Sequence, residues 1–117
     1  MGYRSEVGVL ITVPLKVNSD KLLNKIKKAW GEDFEKCFEI KQFVEDYRYL
    51  ALHCDWIKWY ESYGCVKRFM DFIRSWEYAS GGVHYVRIGE SLEDLEELIY
   101  GCPEKYIEIE RYMSLPK

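Results

Sequence analysis

The chain has 117 residues and a mass of 14.0 kDa, the size of one domain, and its 48% hydrophobic, 32% charged composition excludes disordered and fibrous classes. A net charge of −3 and a pI near 5.5 argue against direct binding to nucleic-acid phosphates, which needs a basic surface. The longest apolar stretch, residues 7–15, is about half of a membrane span, and no basic region followed by an apolar run marks a signal peptide.

From Val7 the odd positions Val7, Val9, Ile11, Val13 and Leu15 are apolar, a period of two that predicts a strand with one face buried. Pro14 lacks an amide hydrogen and weakens pairing toward its end. Asn18 or Ser19 caps a helix entered at Asp20, with Leu22, Leu23, Ile26, Ala29 and Trp30 as its apolar stripe and Gly31 as its stop. Lys21, Lys25, Lys27 and Lys28 lie mostly off that stripe, as a solvated face or a surface for an anionic partner. Residues 34–44 alternate less cleanly and predict a strand. Residues 47–56 predict a second, joined to it as an antiparallel hairpin through Glu45 and Asp46.

Val66, Phe69, Met70, Ile73 and Trp76 recur at three and four, which predicts a helix over residues 61–78, ended by Ser80-Gly81-Gly82. Residues 83–88 predict a strand. Ser91 and Asp94 form a capping-box pattern ahead of Leu92, Leu95, Leu98 and Ile99, which predicts a short helix closed by Gly101-Cys102-Pro103. Ile107 and Ile109 alternate with Glu108 and Glu110, so residues 106–113 predict a last strand on an edge. No repeat, low-complexity tract or linker divides the chain, so residues 1–117 read as a single domain.

Cys37, Cys54, Cys65 and Cys102 lie 17, 11 and 37 positions apart, without the two-residue spacing of zinc knuckles or thiol redox sites. They read as reduced cytoplasmic thiols at apolar positions. His53, Cys54, Asp55 and His84 are metal-ligating types, but strand neighbours point to opposite faces, so His53 and Cys54 do not converge on one ion. The sequence therefore assigns no metal and no cofactor.

The element order predicts an α+β fold of ferredoxin-like type, a split βαββαβ sheet with its helices on one face, plus a C-terminal short helix and an extra edge strand. In that topology the first strand lies between the third and fourth, so the start of the first and the ends of the other two share one rim. Tyr3, Arg4 and Glu6 then meet Asp55, Trp56, Lys58, Trp59 and Tyr60, and both meet Arg87 and Glu90. Three bases (Arg4, Lys58, Arg87) balance three acids (Glu6, Asp55, Glu90) beside large rings. Such a cluster reads as charges bracing strand ends, as a recognition surface for an anion, nucleotide or protein, or as a catalytic site. No Ser-His-Asp or Cys-His order, phosphate loop or histidine accompanies it, so no catalytic residue is assigned and the chain reads as a non-enzyme. The region from Glu90 onward carries eight acids against three bases, a balance of −5, which suits a solvated face or competition for a basic partner.

The opening Gly2-Tyr3-Arg4-Ser5-Glu6-Val7, the Trp56-Ile57-Lys58-Trp59-Tyr60 run and Arg87-Ile88-Gly89-Glu90 resemble a group of small bacteriophage and prophage proteins that begin with a Tyr-Arg-Ser-acid-Val motif. The resemblance carries over no residue roles. It implies a protein of the cytoplasm of an infected or lysogenic bacterium and an accessory role in host takeover or anti-defence. The leading expectation is thus a non-enzymatic binding module that engages a host or defence protein. The alternative is a protein that binds or sequesters a small anionic ligand such as a nucleotide, with Arg4, Lys58 and Arg87 on the anion and Trp56, Trp59 or Tyr60 on the base. No membrane contact is expected, and the edge strand at residues 106–113 is compatible with a homodimer.

Overall fold

A computed structural model of the chain describes residues 4–60, 62–76, 81–91, 93–101 and 103. It is an α+β fold in which β1 (Ser5–Val13), α1 (Ser19–Trp30), α2 (Phe34–Cys37), β2 (Glu39–Val44), β3 (Arg48–Ile57), α3 (Gly64–Arg74), β4 (Gly82–Gly89) and β5 (Leu95–Gly101) follow in order. The five strands form one antiparallel sheet in the order β2-β3-β1-β4-β5.

β1 is buried at all nine positions, so its even residues are covered as well as the odd ones that the alternation marked. Its odd residues Val7, Val9, Ile11 and Val13 meet Leu50, Leu52 and Cys54 of β3 and Val83 and Tyr85 of β4 in the main core. Leu22, Ile26 and Trp30 of α1, with Val66, Phe69, Met70 and Ile73 of α3, close that core from one side. Both helices owe their place to stripes of period 3.6. Asn18 caps α1 by accepting from the amides of Asp20 and Lys21. At the other end Arg68 of α3 donates to the carbonyls of Ala29 and Trp30 at 2.6 and 3.0 Å, which ties the two helices together.

Much of the aromatic content is core. Trp30 stacks on Trp59 at 5.5 Å, Phe38 stacks on Phe34 and Phe69 at 4.8 and 5.4 Å, and Trp59 meets Phe69 edge-on at 5.7 Å. Each ring pair adds about 1 kcal/mol beyond the area that it buries.

Three sequence expectations change. Residues 34–37 form a helical turn ahead of β2, because Phe34 and Phe38 both turn into the aromatic core. The long helix is shorter at both ends than residues 61–78. The expected helix after Ser91 is strand β5 instead: Leu95, Glu97 and Ile99 are exposed while Glu96, Leu98 and Tyr100 are half-buried, a period of two. Partners on β4 decide this, since Arg87 lies directly across from Glu96 and Val86 across from Glu97. The edge strand expected at residues 106–113 lies outside the described residues.

Gly81 adopts φ +93°, and a Cβ there would lie 2.1 Å from the Thr12 carbonyl oxygen. Gly81→Ala therefore lowers the unfolding free energy by about 3 kcal/mol in urea titration, from the strained φ and the displaced end of β1. At Gly64 a Cβ would meet only the end of the flexible Arg68 side chain, at 2.9 Å, so Gly64→Ala costs less than Gly81→Ala, about 1 kcal/mol, through a shift of the guanidinium that binds the end of α1.

Candidate functional site

Register brings the three distant segments together. Ser5 lies across from Ile57 on one side and from Gly89 on the other, and Val7 lies across from Arg87. Side chains at this rim then alternate between the two faces of the sheet, so what sequence order gathers as one cluster becomes two.

On the helix side stands Arg87. Its Nη1 and Nη2 donate to the two carboxylate oxygens of Asp94 at 3.1 and 2.8 Å, its Nε donates to Glu96 at 3.2 Å, and Nη1 also donates to the Ser5 hydroxyl at 3.1 Å. The guanidinium is 18% exposed, and a planar fork with five donors suits this two-sided grip. Burial works against its charge, but the hydrogen bonds to Asp94 and Glu96 outweigh that and raise its pKa. Ser5, Trp59, Tyr60, Arg87, Asp94 and Glu96 line an open cavity of about 740 Å³ here. Its carboxylates outnumber its single guanidinium. Trp59 is 7% exposed and packed among rings, so its faces are not offered for stacking, whereas half-buried Tyr60 meets Tyr63 edge-on at 5.2 Å. The buried Trp59 Nε1 donor has no acceptor among the described residues.

On the opposite side Glu6 is 2% exposed and its Oε2 lies 2.8 Å from His53 Nε2. Between Ser5 and Val7 the register with β3 slips by one residue, so that Asp55 and Trp56 together oppose Glu6. This bulge brings the exposed Asp55 carboxylate within 4.8 Å of the Glu6 and His53 ligand atoms. Farther along this face, buried His84 meets Glu97 of β5 at 2.5 Å.

The remaining expected residues are placed as follows. Arg4 is exposed and its amide donates to the Glu90 carboxylate at 2.6 Å, which ties the start of β1 to the end of β4. Lys58 is exposed. Tyr3 and the Trp56 side chain lie outside the described residues. The sequence reading left His53, Asp94, Glu96 and Glu97 out of the rim cluster, naming His53 only among metal-ligating types and Asp94 only as a helix cap. His53 and Asp55 have the same parity, a signal that pointed to a shared face. Asp94 and Glu96 were hidden by the helix assignment. Cys54 is fully buried and burial pushes its thiol up to about 12, which removes it as a nucleophile at neutral pH.

Arg87→Ala leaves two half-buried carboxylates without their cation and lowers the unfolding free energy by about 2 kcal/mol in urea titration. Arg87→Lys recovers less than about half of that, because an ammonium cannot reproduce the fork. Protein-family models, curated proteins and solved structures contain no match to this chain.

Proposed function

We propose that the protein is a non-enzymatic binding module whose strand β5, outermost among the described residues, and acidic rim engage a basic segment of a partner protein. The observation that carries this reading is the outward face of β5. Leu95 and Ile99 are 38% and 49% exposed, Glu97 lies between them and exposed Glu93 precedes the strand. Five acids and no base occur between Glu90 and Glu97; Arg87 engages Asp94 and Glu96, His84 meets Glu97 and the Arg4 amide donates to Glu90, so the segment stays acidic overall. Alternating apolar and acidic side chains on an exposed strand suit an extended segment that alternates apolar and basic residues.

The alternative, a small anionic ligand held by Arg4, Lys58 and Arg87, has weaker support, because Arg87 is engaged by carboxylates and the cavity beside it is acidic. As an extended split βαββαβ fold, supported by the place of β1 between β3 and β4 and enlarged by β5, the sheet offers its β5 side for contact. The resemblance to phage and prophage proteins points to a host or defence component as the partner.

Capture from a bacterial lysate by the wild type, compared with the surface variants Leu95→Lys and Ile99→Lys, tests this reading. The expected result is a basic protein retained by the wild type, reduced at least about tenfold with either variant and released by added salt. Identical capture by all three chains would overturn it.

A further inference from the structure

We propose that Glu6, His53 and Asp55 bind a divalent first-row metal ion on the sheet face away from the helices. The three side chains come from two adjacent strands, and their ligand atoms all lie within 4.8 Å of one another. Two donors that each sit about 2.1 Å from one ion are roughly 3 Å apart in octahedral geometry, so the 2.8 Å between Glu6 and His53 needs only a small opening to admit it. The third donor is delivered by the bulge, which supplies an extra residue opposite Glu6. Gly8, directly across from His53, sets no side chain beside the ring.

Charge favours the same occupant. In their metal-ligating forms two carboxylates and an imidazole carry −2, which a divalent cation offsets at a point where Glu6 is 2% exposed. One imidazole nitrogen with two carboxylates selects ions of the Zn²⁺ and Mn²⁺ class over Mg²⁺ and Ca²⁺, which favour all-oxygen sites. Asp55 is exposed, so the site opens to solvent on its side, and three protein donors leave a coordination position to water. Cys54 takes no part, since it points into the main core.

The test uses the full chain with Zn²⁺, and separately Mn²⁺, in the presence of a phosphine reductant. Calorimetry is expected to give one Zn²⁺ per chain, with a rise of about 5 °C in Tm at saturation. Asp55→Asn, at an exposed position, and His53→Ala each weaken binding at least about tenfold, whereas Cys37→Ser leaves it unchanged. Mn²⁺ broadens the amide resonances of Gly8, His53 and Asp55. Absence of Zn²⁺ uptake, or uptake undiminished by both Asp55→Asn and His53→Ala, would overturn the proposal.

Discussion

The rest of the molecule depends on double pairing along β1. A strand hydrogen-bonded on both edges, and covered on both faces, has nowhere to place an unsatisfied backbone group or a large exposed side chain. Its sequence answers that constraint with Val7, Val9, Ile11 and Val13 toward the helices and Glu6, Gly8, Leu10 and Thr12 toward the other side. Pairing of Ser5 with both Ile57 and Gly89 then fixes which residues of distant segments become neighbours.

Two consequences follow for chemistry. On the helix face, Arg87 emerges beside β1 and is gripped by Asp94 and Glu96, so β5 is bound to the sheet by charge-assisted side-chain bonds as well as by its backbone ladder. On the other face, Glu6 is carried into a buried position and needs a polar partner beside it, which His53 supplies at 2.8 Å. The same rim thus holds a cation held by acids on one side and an acid-rich set of donors on the other.

Periodicity made the core strands and long helices legible, because Val7 to Val13 and Val66 to Ile73 bury one face at periods of 2 and 3.6. Local pattern misled at the segment after Ser91, where apolar spacing fits a helix and the side chains across on β4 favour a strand instead. Gathering at the rim was legible from topology. The division of its members between two faces was not, because it depends on the bulge opposite Glu6 and on the register of each pair. Tryptophan content was also ambiguous: Trp30 and Trp59 stack on each other inside the molecule, where composition alone could equally set them on an interface.

A binding role for the acidic strand and a metal role for the Glu6 cluster are compatible, since the outward side chains of β5 share a sheet face with Glu6 and His53 but are separated from them by β4. Both rest on the register that places the start of β1 between the ends of β3 and β4. Cross-strand nuclear Overhauser effects in labelled protein measure that register directly. The account predicts backbone contacts from Ser5 to both Ile57 and Gly89, and from Val7 to Arg87; contacts from Ser5 to neither of its two partners would contradict it.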